Sequence, residues 1–184
     1  MRVTISGPPG SGKTTVAEIV SGRLAYELVT GGKIFRETAR SMNISLAELG
    51  SAAEREDRYD KMLDAYLLEI MTKRDNIVVE SRLSGWLCHL NGIDAFKVFV
   101  DAREEVRLER IKKSMAKRQE EIAENILQQM REREGSERAR YRKYYGIDYG
   151  DTSIYDLVVD ASDSSAEDVA EVIISGINIR KGTV

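Results

Sequence analysis

Ser6-Gly7-Pro8-Pro9-Gly10-Ser11-Gly12-Lys13-Thr14-Thr15 (SGPPGSGKTT) decides how the rest of this 184-residue chain is read. Residues 7–14 satisfy the spacing G-x-x-x-x-G-K-[ST], in which small residues let successive backbone N–H groups curl round the α- and β-phosphates of a nucleotide. Lys13 is spaced to reach the β- and γ-oxygens, and the Thr14 hydroxyl to ligate Mg²⁺. A helix opening at the loop would aim its positive end at the same anion. The flanks agree with the motif. Arg2-Val3-Thr4-Ile5-Ser6 alternates apolar and polar residues like a strand, and Val16-Ala17-Glu18-Ile19-Val20 places apolar groups at helical spacing. Strand, phosphate loop and helix therefore follow in the required order.

Outside the loop, composition bounds the possibilities. With 42% hydrophobic and 32% charged residues, the chain suits one globular domain with enough core to fold alone. Its 28 basic and 31 acidic side chains give a net charge of −3, so no global field attracts nucleic acid or an anionic membrane. The first strand occupies the position where a secretory signal would lie, and no stretch approaches 18 uninterrupted apolar residues. A cytoplasmic monomer with no membrane or nucleic acid partner is expected. Cys88 and His89 are the only residues of their kinds, which excludes a disulfide framework or a Cys/His zinc site within the chain. Cys88 is expected to be a buried thiol.

Strand-like and helix-like stretches then alternate. Glu27-Leu28-Val29, residues 76–80, 96–101 and 157–160 join residues 2–6 as five strands. Helical patterns fall at 13–25, about 33–42, 45–56, 57–73, 103–114, about 119–144 and 165–178. This order predicts an α/β fold, three layers α/β/α about a five-stranded parallel sheet. Ligands of such sheets bind at the carboxyl ends of the strands, where Gly7, Glu80, Asp101 and Asp160 stand.

The combination of the loop at 7–14, Gly32-x-x-x-Arg36, Glu80-Ser81-Arg82-Leu83-Ser84-Gly85-Trp86 and Arg131-Glu132-Arg133-Glu134 resembles the nucleoside monophosphate kinases, and most closely the short archaeal-type cytidylate kinases. The resemblance covers nearly the whole chain. It implies a P-loop kinase with a core at 1–30, 74–113 and 150–184, a helical acceptor-binding insertion at about 31–73, and a helical lid at about 114–145. It implies transfer of phosphate from ATP to CMP or dCMP with Mg²⁺. Residues Gly7 to Thr15 would hold ATP. Gly32 and Arg36, with Arg82, would hold the acceptor phosphate, where a guanidinium fork matches phosphate oxygens. Glu80 would hold Mg²⁺ through water beside Thr14. Bacterial cytidylate kinases carry Asp-Gly-Arg-Asp where this chain reads Glu80-Ser81-Arg82-Leu83.

In the lid, the resemblance places Arg110 over the donor, Arg133 and Glu137 on the acceptor's sugar and nearby groups, and Arg140 on the transferred phosphate. Lys13, Arg110, Arg133 and Arg140 form the implied catalytic set. Ser114 stands where the family often carries a further arginine, leaving Lys113, Lys117 or Arg118 to substitute. Read without the family, the charge run at 130–148 is mostly a solvated helix face, although Arg133 and Arg140 fall on one side two turns apart. Its interleaved Tyr141, Tyr144 and Tyr145 also fit stacking on RNA. A kinase for AMP or UMP and a P-loop ATPase acting with RNA are the competing readings. No Asn-Lys-x-Asp stretch occurs, which argues against a guanine-reading switch.

Overall fold

The computed structural model describes residues 1–118 and 124–182 and, of Leu46 and Ala47, the backbone only. Five parallel strands, β1 (Arg2–Ser6), β2 (Glu27–Thr30), β3 (Ile77–Glu80), β4 (Phe96–Asp101) and β5 (Leu157–Asp160), lie in the order β2-β3-β1-β4-β5. All five expected strands are present. The register sets Ile5 against Glu80 and Ser6 against Phe99, so the phosphate loop leaves the sheet between the ends of β3 and β4.

Helices cover both faces. Val3 and Ile5 of β1, Val78 of β3, and Val98 and Val100 of β4 pack against α1 (Lys13–Leu24) and α8 (Ala166–Lys181) through Val16, Val20, Ile173 and Ile177. On the other face Ile77, Val79 and Phe99 meet α4 (Arg58–Lys73), α5 (Ser84–Leu90) and α7 (Ile126–Tyr145) through Leu67, Met71, Leu87, Cys88 and Tyr141. Alternating strand residues thus supply the two core layers. Between β2 and β3 come α2 (Gly31–Ser41), α3 (Leu46–Arg55) and α4, whose own small core is Ala39, Leu49, Ala53 and Tyr59. After β4, α6 (Glu104–Lys117) precedes α7.

Several expectations shift. The second helix begins at Gly31 rather than near 33, directly from β2. Helix α6 runs unbroken through residue 114, so the boundary placed at 113/114 falls inside a helix. Helix α7 begins at Ile126; residues 119–123 of the expected helix, and 183–184 at the end, lie outside the described residues. Helix α8 is capped by Ser165 with Asp168 in a reciprocal capping box.

Helix α5 was not expected at all. Residues 84–88 are buried on every side, so the helix has no polar face to betray its period, and Leu83 stands at its N-cap with no side-chain bond. Its start is capped from another element: Ser6 Oγ of β1 accepts the Gly85 N–H at 3.2 Å and lies 3.2 Å from Ser84 Oγ. Ser6→Ala would leave that buried N–H unpaired, so it is expected to lower unfolding free energy by about 1–3 kcal/mol. Urea titration checks this, and an unchanged midpoint would remove Ser6 as the cap.

Candidate active site

The loop folds as its spacing predicts. Gly10 has φ +78, and a Cβ there would stand 2.4 Å from the Arg107 carbonyl oxygen, so both the turn and the approach of α6 require glycine. Ser11 N–H closes the turn on the Pro8 carbonyl at 3.4 Å, and α1 starts at Lys13 with its first N–H groups facing the loop. Lys13, 5% exposed, donates from Nζ to Pro8 O at 3.0 Å and lies 3.7 Å from Glu80 Oε1 at the end of β3. Burial, with the charge of Arg82 adding to it, lowers the Lys13 ammonium to about 7 against the pull of Glu80. Arg110 closes the loop's other side, donating to Ser11 O at 3.0 Å and to Ala161 O beyond β5 at 2.7 Å.

Next to Lys13 lies a cluster of three charged residues. Glu137 of α7, 7% exposed, accepts Arg82 Nε at 2.9 Å and Arg133 Nε at 3.0 Å. Burial alone would raise this carboxyl; the guanidinium groups of Arg82 and Arg133 overcome it and hold Glu137 down at about 2. Arg140, two turns from Arg133, pairs with Asp60 of α4 at 2.7 Å. The segments after β2 and β3 come close as well. A Cβ on Gly31 would be 2.9 Å from Ser81 Cβ, so α2 can start against the Glu80–Arg82 stretch only because Gly31 has none. Arg36 lies exposed, folded back along Gly32, with no hydrogen bond or ion pair among the described residues.

A family model described as "Cytidylate kinase-like family" matches residues 2–163. Relatives named cytidylate kinase include one from Archaeoglobus fulgidus, 39% identical over 98% of this chain and 97% of that one. Another, from Natronomonas pharaonis, is 42% identical over 97% and 90%. The chain belongs to the cytidylate kinase-like family. In shape it resembles shikimate kinase from Aquifex aeolicus (TM-score 0.64, 20% identical, all of both chains) and a gluconokinase from Sinorhizobium meliloti (TM-score 0.60, 17% identical, 96% and 90% covered). Those two likenesses concern the fold alone.

In this cytidylate kinase-like chain, Lys13, Glu80, Arg82, Arg133 and Glu137 come together, Arg110 sits at the loop, and Arg140 stands on Asp60. Glu137, implied as a sugar contact, has both oxygens committed to guanidinium groups here. Arg36 is exposed, as are Gly32 and Arg133 among the implied acceptor residues, whereas Arg82 and Glu137 are drawn inward. Ser114, where the resemblance places a further arginine, accepts a hydrogen bond from Arg118 Nη1 at 2.6 Å. Trp86 and Cys88 are core residues, and burial pushes the Cys88 thiol up to about 11.

Sequence reading missed two groups. Arg107, 8% exposed, donates to Pro9 O at 3.3 Å and pairs with Glu134, tying the loop to α7. Asp60 and Asp64 are buried on α4, and Tyr145 Oη donates to Asp64 Oδ2 at 2.7 Å. The available signal was their place in the stripe Asp60, Asp64, Leu67, Met71, carboxylates on an otherwise apolar helix face. Burial pushes Asp64 up to about 7; the Tyr145 hydrogen bond opposes this and the charge of Asp60 adds to it.

Asp64 therefore binds its proton more tightly folded than unfolded. The stability this confers is full below the unfolded value near 4 and is lost as pH rises through about 7. Asp64→Asn has no such loss. Its unfolding free energy relative to wild type is expected to rise on the order of 3 kcal/mol between pH 4 and pH 8. Chemical denaturation across that range checks it, and a pH-independent difference would contradict the buried carboxyl.

Proposed function

We propose that this chain transfers the γ-phosphoryl group of ATP to CMP or dCMP. The observation that carries the reading is the gathering of Lys13, Arg82 and Arg133 round two buried carboxylates, Glu80 and Glu137, beside the phosphate loop, in a chain whose near-full-length relatives are named cytidylate kinase. Those names favour CMP over AMP or UMP as the acceptor, and transfer over an RNA-linked ATPase.

Bringing two nucleotide polyanions together needs positive charge on both and on the transferred group, with little covalent help from the protein. Residues Gly7 to Thr15 hold the ATP phosphates through loop and α1 N–H groups, with Lys13 on the β/γ oxygens and Arg110 against the donor side. Arg36 and Arg82 take the acceptor phosphate. Arg133 and Arg140 follow the charge that spreads in the transition state, and Glu137 orients Arg82 and Arg133 until a sugar hydroxyl competes for it. Helices α2 to α4 act as the acceptor-binding unit, and α6 with α7 as a lid that excludes water, a competing acceptor.

Mg²⁺ suits the oxygen donors present. Thr14 is exposed at the first turn of α1, Glu80 is buried at the end of β3, and Ser11 Oγ and Ser81 Oγ beside them are buried without protein partners. Among the described residues no cluster of three or more acidic, His or Cys side chains could hold a metal alone. Thr14 would bind such a cation directly and Glu80 through water, with phosphates and water completing its shell. When bound, it neutralises phosphate charge. Among the described residues no helix is long and apolar enough to cross a membrane.

ADP release measured with ATP and each monophosphate in turn is expected to require CMP or dCMP; steady hydrolysis without an acceptor would refute the kinase. Lys13→Ala should lower kcat about 100- to 1,000-fold, and near-normal turnover would remove Lys13 from the mechanism. Arg36→Ala should raise KM for CMP about tenfold or more while leaving KM for ATP unchanged. An equal effect on both substrates would refute the acceptor role.

A further inference from the structure

Three guanidinium groups of the cleft are gripped in one way. Arg82 and Arg133 each give Nε to Glu137, and Arg140 gives Nε to Asp60 Oδ2 at 2.7 Å. A carboxylate at Nε occupies one edge of the guanidinium plane and leaves the remaining N–H groups for another oxyanion. Arg140 is held twice: its Nη1 also donates to Ser136 Oγ, 2.6 Å away and one turn back on α7. Nη2 has no partner among the described residues. Both members of the pair are close to buried, with side chains 12% and 8% exposed.

A buried ion pair is a poor device for stability, since removing two charges from water costs about as much as their attraction returns. What it supplies that an apolar contact does not is orientation. Here a carboxylate on one helix fixes the plane of a guanidinium on another, 80 residues away in sequence. Asp60 belongs to the same run of helices as Arg36, between β2 and β3. One turn beyond it, Asp64 takes the Tyr145 hydroxyl, so the two acids pin the last turns of α7 to α4. Glu137 lies within electrostatic reach of both Asp60 and Arg140, which joins this pair to the cluster at Lys13.

We propose that Asp60 is a positioning residue for phosphoryl transfer: by holding Arg140 at Nε through a single oxygen it fixes the guanidinium plane and leaves Nη2 unpaired for the transferred phosphate, and it does so only while α4 is docked on α7. The inference rests on the phosphate role given to Arg140 above. Asp60 touches neither nucleotide. It makes the seating of the helices that carry Arg36 and the placement of an arginine on α7 a single event, so that Arg140 is in position when an acceptor is.

Steady-state kinetics with ATP and CMP each varied, on wild type, Asp60→Asn, Arg140→Ala and the double variant, test this, with thermal midpoints measured alongside and assays run well below the lowest. Asp60→Asn is expected to lower kcat about 10- to 100-fold, the scale of an ångström's misplacement. KM for ATP should stay within about twofold. Arg140→Ala should fall at least as far, and the double variant should be no slower than Arg140→Ala alone. Wild-type kcat in Asp60→Asn, with or without a lowered midpoint, overturns the proposal. So does a double variant slower than Arg140→Ala by the full Asp60→Asn factor. Wild-type kcat in Arg140→Ala instead overturns the role of Arg140 itself, which separates the two failures. Should Asp60→Asn not fold, Ser136→Ala removes only a half-buried hydroxyl from the same guanidinium. It is expected to lower kcat about two- to fivefold in the wild-type background and not at all beside Arg140→Ala; an unchanged kcat in the single variant overturns the proposal.

Discussion

Cations assembled to receive two polyanions repel one another until the polyanions arrive. The structure meets this constraint with buried carboxylates: Glu80 beside Lys13, Glu137 between Arg82 and Arg133, Asp60 against Arg140. Burial and repulsion still show in Lys13, whose ammonium is lowered to about 7, while the attraction of Arg82 and Arg133 overcomes burial and holds Glu137 down at about 2. The sheet makes the gathering possible. Because β3 lies beside β1 in parallel, Glu80 and the residues just after it end next to the loop that follows Ser6. A different strand order would leave the same side chains too far apart to interact.

Helix α7 carries the arrangement from one part of the molecule to another. Arg131 bonds Glu104 of α6 at 2.9 and 2.6 Å, and Glu134 pairs with Arg107 of the same helix. One turn on, Glu137 takes Arg82 of the core, and beyond it Arg140 and Tyr145 meet Asp60 and Asp64 of α4. Successive turns of one helix thus bind three separate segments by ion pairs and hydrogen bonds rather than by a continuous apolar seam. Polar contacts of this kind break and reform at less cost than a packed core, because water replaces each lost partner. That suits the lid role proposed for α6 and α7.

Where partners are close in sequence, the chain announced its structure; where they are distant, it did not. The phosphate loop was legible because its requirements are local: small residues, a lysine and a hydroxyl at fixed offsets, then a helix. The five strands were legible from their β-branched runs. The helical pattern at about 33–42 gave the helix that carries Arg36, though not its start at Gly31, because the reason for that start is a close approach to Ser81. Helix α5 escaped notice since its cap is Ser6, 79 residues away, and its burial on all sides erased the helical period. Asp60 and Asp64 drew no reading from the sequence, because the groups that hold them, Arg140 and Tyr145, lie 80 and 81 residues away on α7.

The same distance explains where local rules are broken. Ser11 Oγ, Ser81 Oγ, Arg107 Nε and Tyr149 Oη are buried without partners, and each belongs to the loop, to the stretch after β3 or to the neighbourhood of Arg82 and Glu134. An orphaned buried polar atom costs about 1–3 kcal/mol, and a chain selected for stability alone would have satisfied or removed several of them. Their concentration round the cation cluster, with the free guanidinium edges of Arg82, Arg133 and Arg140, marks the region where the protein leaves hydrogen bonds for ligands to complete. Among the described residues as many lie elsewhere: Arg2 Nε, Thr4 Oγ1 and Trp86 Nε1 in or near the apolar layers, and Tyr155 Oη beside Ser6 at the loop's foot. Those at the loop's foot and in the apolar layers stand singly, whereas the ones round the cations stand together, as the proposed phosphate site requires.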